Sequence, residues 1–300
     1  MMRRRPRLRH CAEYGLLLVA VAVLSALPAR LALWAARRLG DFAFDVLRMR
    51  RRVTLGNLEQ AYGAELTPPA RRALARRTYR NIAMSFVELL RFAWRNPRHL
   101  ADRAHLSEPQ HIEAARALRR GVIYLTAHVG NWELCGSFIS YYDAPLATII
   151  ADQRNPYVDR FVKRTRQRMG MEMIPIGSAL RQVLRRLRAG GRVGIAAEQD
   201  AGPGGLFLPF FGRAASTAVG PARFAYRTGA PIVIAFDHRV GIEGHRIEVY
   251  PPLLPDPTRD ETAEVARIMG IYAQRLEAFI RRHPDQWFWM HRRWKTRPPA

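Results

Sequence analysis

The chain has 300 residues, of which 48% are hydrophobic and two are cysteines. This composition supports a sizeable core and excludes a disordered chain or a disulfide-stapled one; the two widely separated thiols fit the reducing cytoplasm. The formal net charge is +24, from 49 basic and 25 acidic side chains. Such a surface attracts polyanions, which leaves nucleic acid, an anionic membrane, phosphorylated lipids and acidic proteins as candidate partners.

An apolar segment follows the basic N-terminus. Met1 to His10 contains five arginines, and Tyr14 to Ala29 contains no charged residue. As a helix this segment spans about 24 Å, short of the roughly 30 Å hydrocarbon core, and residues 31–36 extend it enough to cross. A cleaved signal peptide, a spanning anchor and a helix within one leaflet all fit. The arginines that continue to Arg52 favour a retained anchor with cytoplasmic flanks.

Residues 41–120 are predicted to be mainly helical. A short helix is expected at 41–49 and a longer one from Pro68 to Trp94, with Thr67 placed to cap it. The apolar residues of the longer helix recur mostly three or four positions apart, which indicates one face packed on the core. With the N-terminal helix, this stripe could instead form a membrane-facing platform.

From Gly121 onward, strands alternate with helices. The predicted strands cover residues 122–127, 147–151, 172–176, 193–197, 232–236 and 246–250. The predicted helices cover residues 132–141, 156–169, 178–189, 218–228 and 261–281. Alternation at this spacing predicts an α/β fold in which a mixed sheet is flanked by helices.

A histidine stands just after the first of these strands, where α/β folds place chemistry. Gly130 and Asn131 are turn or N-cap residues, and Glu133 falls in the first turn of the next helix. On a continuous helix His128 and Glu133 would be about 140° apart, so they meet only if the histidine lies on the preceding turn. An imidazole held by a carboxylate deprotonates hydroxyls. The alternative is a structural histidine bonded to a backbone carbonyl.

The sequence lacks a G-x-S-x-G elbow, and neither cysteine stands in a nucleophile motif. The hydroxyl that His128 activates is therefore expected on a substrate. Glu198 and Asp200 end the strand at 193–197 and reach the same sheet edge as His128, where they could support the histidine, hold a metal or face solvent. No histidine or cysteine is adjacent to them, which disfavours a dedicated metal site.

Three further clusters have more than one interpretation. Arginines crowd the segment 154–168, which forms either a solvated face or a site for phosphate or a carbonyl oxygen. Aromatic and basic residues are mixed at 287–297, where they could stack on nucleic-acid bases or lie at a membrane interface. His291, in the same segment, is expected to be structural. Met169, Met171 and Met173 could line an acyl pocket or pack in the core.

Four collinear segments resemble those of the late acyltransferases of lipid A biosynthesis, within the wider glycerolipid-type acyltransferases. They are His128 to Glu133, Arg154 to Arg166, Glu198 to Thr217 and Trp289 to Pro298. The resemblance extends over nearly the whole chain. It implies transfer of a fatty acyl group from acyl-carrier protein to a hydroxyl of a lipid A precursor at the cytoplasmic face of the inner membrane. It implies no metal, no organic cofactor and no nucleic-acid partner.

In the expected mechanism, His128 is the base and Glu133 orients it, with Glu198 as a rival because the resemblance places a similar acid near the histidine. Arg166 matches the active-site arginine of the family. Together with the turn amides of Gly130 and Asn131, it is expected to stabilise the oxyanion.

Arg154 is an alternative to Arg166, and Asp200 is a second candidate for substrate binding. Residues 1–40 are expected to form the basic segment and anchor, and residues 41–300 the catalytic domain. Two alternatives remain. One is an acyltransferase acting on another anionic glycolipid, such as a phosphatidylinositol mannoside. The other is a non-catalytic module that binds anionic lipid or nucleic acid.

Overall fold

The computed structural model of the protein describes residues 8–94 and 103–299. The helices are α1 (Leu8–Ala26), α2 (Ala29–Asp45), α3 (Arg51–Tyr62), α4 (Pro68–Phe92), α5 (Gln110–Ala117), α6 (Trp132–Tyr142), α7 (Pro156–Arg168), α8 (Ala179–Arg188), α9 (Gly220–Thr228) and α10 (Glu261–Arg282). The strands are β1 (Ala104–Leu106), β2 (Val122–Thr126), β3 (Leu146–Ile150), β4 (Met171–Pro175), β5 (Arg192–Ala196), β6 (Leu206–Phe210), β7 (Arg213–Thr217), β8 (Ile232–Val240) and β9 (Gly244–Val249).

Seven strands of the described chain form one sheet in the order β1-β9-β8-β2-β5-β3-β4. The β8–β9 pair is antiparallel and the other neighbouring pairs are parallel. Strands β6 and β7 form a separate antiparallel hairpin. The predicted mixed sheet flanked by helices is confirmed, whereas β1 and the hairpin were not predicted.

Strand β2 lies at the centre of the sheet and is buried on both faces. Its side chains alternate between two cores, as the period of a strand requires. Ile123 and Leu125 pack with residues of α9 and α10, whereas Val122 and Tyr124 pack with residues of α5 and α6. Burial on both sides fixes the carboxyl end of β2, and His128 follows directly after it.

The N-terminal apolar segment forms two helices, not one. α1 buries only Val21 and, among the described residues, is the one helix long and apolar enough to cross a membrane by length and composition. The expected extension to residue 36 is wrong because Pro28 has an extended backbone, with ψ 144°, that ends the helical path. α2 continues across residue 40 and packs Leu33 and Ala36 against α4. The basic residues 1–7 lie outside the described residues.

Helix α4 begins where its capping signal predicts. The Thr67 side chain accepts a hydrogen bond from the Ala70 N–H at 3.4 Å, and prolines occupy the first turn. Asp41 of α2 accepts two hydrogen bonds from Arg80 of α4, at 2.6 and 3.1 Å. A Cβ at Gly40 would lie 2.7 Å from the Tyr79 carbonyl oxygen, so glycine permits the close approach of the two helices.

The segment after α10 is part of the core. Trp287 and Trp289 are 1% and 0% exposed, so the expected stacking on bases or membrane lipids is wrong for both. Arg293 is equally buried, because it donates a 2.6 Å hydrogen bond to the Thr217 hydroxyl and lies over the Phe210 ring. These contacts offset part of the cost of removing the guanidinium from water, while its Nε has no hydrogen-bond partner among the described residues.

Candidate active site

The parallel register of β2 and β5 brings a histidine and a glutamate together. Thr126 pairs with Ala196, and His128 and Glu198 each follow that pair by two residues. Nδ1 of His128 lies 2.6 Å from Oε1 of Glu198, and the backbone N–H of His128 donates to the same oxygen at 3.1 Å. Glu198 is therefore the carboxylate that holds the imidazole.

This contact determines which ring nitrogen is free. With Nδ1–H donated to the carboxylate, Nε2 carries the lone pair, and the described residues supply it with no hydrogen bond. The ring lies edge-on to Trp132 with 5.0 Å between centroids. The His128 side chain is 28% exposed and that of Glu198 only 2%, so the imidazole is accessible while the carboxylate that contacts it is shielded.

Opposing effects set the pKa of His128. Burial lowers it, but the negative charge and hydrogen bond of Glu198, with a further contribution from Glu133, raise it above its ordinary value. Burial also acts to raise the pKa of Glu198, and the charge and hydrogen bond of His128 outweigh it, so this carboxyl stays below its usual range. The carboxylate therefore stabilises the imidazolium form of His128 more than water alone would, without fixing the ring in that form.

Glu133 contacts an arginine, not the histidine. Its carboxylate accepts hydrogen bonds from Nε of Arg166 at 2.8 Å and from its terminal nitrogen at 2.5 Å. The expected hydrogen bond from Glu133 to His128 is therefore corrected: Glu198 occupies Nδ1, and the first turn of α6 directs Glu133 towards the last turn of α7. This bidentate pair fixes the guanidinium of Arg166 beside the site.

The turn at residues 128–131 is held by hydrogen bonds from its own amides. The Gly130 N–H donates to the Gln286 carbonyl at 2.8 Å, and the Asn131 N–H donates to the Asp237 carboxylate at 2.6 Å. Both amides are engaged, which corrects the expectation that they form an oxyanion hole. Gly130 has φ +55°, and a Cβ there would lie 2.3 Å from the Asp237 carbonyl oxygen, so this position requires glycine.

A buried charged network lies beneath this turn. Glu88 receives two hydrogen bonds from Arg239, at 2.7 and 2.6 Å, and one from the Asn131 side chain at 2.7 Å. His245 bridges Asp237 at 2.9 Å and Glu88 at 3.4 Å. Burial opposes the charge on His245, but the two carboxylates outweigh it and raise its pKa to about 9. Burial likewise opposes the charge on Glu88, and Arg239 lowers the pKa of this carboxyl to about 2.

This network was not predictable from local sequence patterns. Its members come from α4, β8 and β9, and helical periodicity assigns Glu88 no particular partner. One signal was present: Asp237, His238 and Arg239 directly continue the apolar run predicted as a strand, which ends at Phe236. Charged residues that continue a buried strand must find partners in other elements.

An apolar cavity of about 560 Å³ opens beside His128. Glu133 and Arg166 also line it, and its apolar lining includes Ile139, Leu146, Ile150, Met171 and Phe224. Among the alternating methionines, Met171 lines this cavity, while Met169 packs in the core. The cavity therefore places aliphatic walls next to a histidine that carries a free nitrogen.

Two predicted substrate-binding residues lie elsewhere. Arg154 is exposed in the loop after β3 and does not line the cavity. Asp200 accepts hydrogen bonds from the Thr296 N–H at 3.2 Å and hydroxyl at 2.9 Å, and its own N–H donates to Nε2 of His291 at 2.7 Å. Asp200 thus fixes the C-terminal segment and does not face the cavity, and His291 has the expected structural contact.

Within the described residues, one group brings three potential metal ligands within 4.8 Å: His238, Glu248 and His283. These residues do not line the cavity. Oε2 of Glu248 accepts hydrogen bonds from Arg282 at 2.5 Å and from the Tyr250 hydroxyl at 3.0 Å. A guanidinium therefore already compensates the charge of this carboxylate.

An imidazole–carboxylate pair beside an apolar cavity is an arrangement chemically suited to proton transfer on a substrate with an aliphatic chain. The sequence profile of the bacterial lipid A biosynthesis acyltransferases matches residues 1–296, and the chain belongs to this family. The resemblance seen in the four segments is confirmed.

Named relatives agree with this membership. The chain is 26% identical to the lipid A biosynthesis lauroyltransferase of Escherichia coli K12, over 87% of this chain and 84% of that protein. It is 26% identical to the palmitoleoyltransferase of the same strain, over 91% and 87%. It is 31% identical to a phosphatidylinositol mannoside acyltransferase of Mycobacterium tuberculosis CDC 1551 / Oshkosh, over 69% and 66%. The chain is thus an enzyme that transfers an acyl group to a lipid acceptor, and the non-catalytic alternative is set aside.

Proposed function

We propose that this enzyme transfers a fatty acyl group from acyl-carrier protein to a hydroxyl of a lipid A precursor. The observation that carries the proposal is the 2.6 Å contact between His128 and Glu198, which leaves Nε2 free beside an apolar cavity. The names of the E. coli relatives support lipid A biosynthesis. The net charge of +24 suits both an acidic carrier protein and a phosphorylated acceptor.

In the mechanism, Nε2 of His128 takes the proton of the acceptor hydroxyl as its oxygen attacks the thioester carbonyl. Glu198 stabilises the imidazolium that forms, because its carboxylate already holds Nδ1. The tetrahedral intermediate then expels the carrier thiolate, which takes the proton from His128. The product is an ester, and the carrier leaves as a free thiol.

Arg166 supplies the charge that balances the intermediate. Its guanidinium lines the cavity with His128 and is held by Glu133 through two hydrogen bonds. A fixed cation at this position stabilises the developing oxyanion without reorganisation during the reaction. Glu133 therefore acts on the reaction through Arg166, and its charge also favours the imidazolium. The aliphatic walls of the cavity accommodate the acyl chain.

The proposed location is the inner membrane, with the catalytic residues on the cytoplasmic side. α1 carries exposed apolar residues such as Leu16 and Val19, and α2 exposes Trp34 and Phe42. The arginines that flank α1 favour cytoplasmic retention of these flanks. In this arrangement residues 1–40 form the anchor segment and residues 41–300 the catalytic domain, and α2 joins the two.

A second acceptor class has its own support. The 31% identity to a phosphatidylinositol mannoside acyltransferase favours a phosphoinositol glycolipid as an alternative acceptor with the same chemistry. The donor and the position of His128 are unchanged in this alternative. Only the glycolipid that supplies the hydroxyl differs.

The test is a thiol-release assay with the full chain in detergent micelles and an acyl-carrier thioester as donor. Release that depends on an added lipid A precursor supports the proposal, whereas release that depends on phosphatidylinositol mannoside supports the second acceptor. Coenzyme A thioester of the same chain length serves as the donor control. Faster transfer from coenzyme A, or thiol release that is equal with and without acceptor, contradicts the proposed reaction.

A further inference from the structure

A groove separate from the catalytic cavity lies between α1, the end of α4 and α7. Its volume is about 760 Å³. Tyr14 and Leu18 of α1 form one wall, Trp94 lies at the end, and the opposite wall is the outer face of α7. The groove therefore borders the helix that we propose as the membrane anchor.

Specific contacts hold α1 against α7. The rings of Tyr14 and Tyr157 stack with 5.6 Å between centroids, and Phe161 lies edge-on to Tyr14 at 6.5 Å. The Asn155 side chain caps α7 and also donates a 2.9 Å hydrogen bond to the Glu13 carboxylate of α1. These contacts make the groove a defined feature of the fold, because they fix the distance between its two walls.

The α7 wall is cationic. Arg160, Arg164 and Arg168 recur at four-residue spacing, which places them on one face of the helix. Among the residues that the structure describes, no acidic side chain lines the groove, and Arg160 and Arg164 form no hydrogen bond or ion pair. Lys163, one position away, pairs instead with Asp159 at 2.6 Å. Two guanidinium groups that have no partner in the described part of the chain therefore line a partly apolar groove.

The opposite face of α7 belongs to the active site. Arg166 is two positions from Arg164, which is about 200° around the helix, and it binds Glu133. One helix thus presents Arg160 and Arg164, which lack partners among the described residues, to the groove, and the ion-paired Arg166 to the catalytic cavity. A lipid bound in the groove would lie one helix diameter from the active site.

We propose that the groove binds the phosphate-bearing headgroup of an anionic membrane lipid, namely the glycolipid acceptor of the proposed reaction. Guanidinium groups bind phosphate with bidentate hydrogen bonds, and the groove places two of them beside aromatic side chains. The apolar residues of α1 on the facing wall suit the first carbons of a lipid chain and not a free inorganic ion. The inference rests on the proposed function, since it takes an anionic glycolipid as the acceptor.

The test measures headgroup binding without catalysis. The full chain in neutral phosphatidylcholine nanodiscs is titrated with phosphatidic acid, a lipid that carries a phosphomonoester, and the fluorescence of Trp94 is followed, with Trp94→Phe identifying its signal. We expect Arg160→Gln/Arg164→Gln to weaken this binding by at least about tenfold. The matched control, Arg181→Gln/Arg185→Gln on α8, removes the same charge from another exposed face and is expected to bind as wild type does.

Each outcome decides the inference. Equal loss in the groove and control variants indicates a general charge effect and overturns it. Unchanged binding in the groove variant overturns it also, as does displacement of the lipid by inorganic phosphate at equal affinity. In acyl transfer, the groove variant is expected to raise the acceptor KM while the donor KM stays constant. Absence of transfer in wild type contradicts the proposed reaction alone, because the binding titration does not depend on turnover.

Discussion

Oε1 of Glu198 lies 2.6 Å from Nδ1 of His128, although seventy positions separate the two residues in the chain. Glu133 is only five positions from the histidine, and it binds Arg166 instead. The parallel pairing of β2 with β5 explains why Glu198 contacts His128, because it aligns the residues that follow Thr126 and Ala196. The two carboxylates therefore have separable roles, one on the imidazole and one on the guanidinium.

We expect Glu198→Gln to lower kcat by at least about 10²-fold with little change in the donor KM, because the carboxylate stabilises the imidazolium only as the proton moves. Glu133→Gln is expected to lower kcat less, since it loosens Arg166 and leaves the contact at Nδ1 intact. Steady-state kinetics of both purified variants provide the measurement. A Glu198→Gln enzyme with wild-type kcat would rule out this division of roles.

The pH dependence of kcat/KM should report the contact between His128 and Glu198. Burial alone lowers the pKa of His128, and Glu198 raises it above its ordinary value, so the acidic limb of the wild-type profile is expected above pH 6.5. Neutralising Glu198 in Glu198→Gln leaves the effect of burial and should shift this limb to lower pH. Profiles of kcat/KM against pH, measured with the same donor and acceptor for both proteins, test the direction of this shift. A shift to higher pH contradicts the proposed contact.

The buried network should make stability depend on pH. Because the pKa of His245 is about 9 in the folded chain and near 6.5 when unfolded, its stabilising contribution is complete below pH 6.5 and is lost as pH rises through 9. The pH-dependent contribution amounts to roughly 3 kcal/mol. The free energy of unfolding, measured by denaturant on detergent-solubilised protein across this range, is expected to depend less on pH in His245→Gln than in wild type. The exposed His105 provides the control substitution, His105→Gln, and equal slopes in all three proteins would refute the assignment.

Cavity size should determine the preferred acyl chain. A Cβ at Gly136 would lie 2.9 Å from Sδ of Met171, so Gly136→Val pushes side-chain atoms into the cavity. Each methylene no longer buried costs about 0.8 kcal/mol, or roughly fourfold in affinity, and preference should move to shorter donors. Competition between two carrier thioesters measures this ratio. Gly270→Val is the control, because no atom outside its own helix backbone lies within 4 Å of a Cβ at that position. An unchanged ratio of transfer from the two donors in Gly136→Val would exclude the cavity as the acyl site.

The order of helices and strands was largely predictable because it depends on local patterns. The Thr67 cap located the start of α4, and apolar runs located the starts of β2, β3, β4, β5 and β8 within about one residue. Strand β9 begins two residues before its predicted start, and β6 and β7 were not predicted. Pairing between distant residues was not predictable from such patterns. Without the register of β2 against β5, the sequence assigned the orienting role to Glu133 and left Glu198 as a rival.

The other wrong or missing predictions concern polar and charged groups whose partners lie in distant parts of the sequence. Arg293 was grouped with an interfacial cluster, because composition alone does not reveal that its guanidinium would bond to a hydroxyl of β7. The network around Glu88 and His245 was missed for the same reason, since each member is stabilised only by partners in other elements. The amide of Asn131 was assigned to the oxyanion because its acceptor, Asp237, lies on a strand more than a hundred positions away.

The most direct test of the account is the rate of acyl transfer by His128→Ala, measured as kcat/KM with the same carrier thioester and glycolipid as wild type. Circular dichroism and membrane association should match wild type, and His105→Ala serves as a control for loss of an exposed histidine. A positioned general base contributes about 10²–10⁴-fold, so a loss of this size is expected, equivalent to roughly 3–5 kcal/mol of barrier. A folded variant that retains kcat/KM within about threefold of wild type would contradict the assignment of His128 as the base.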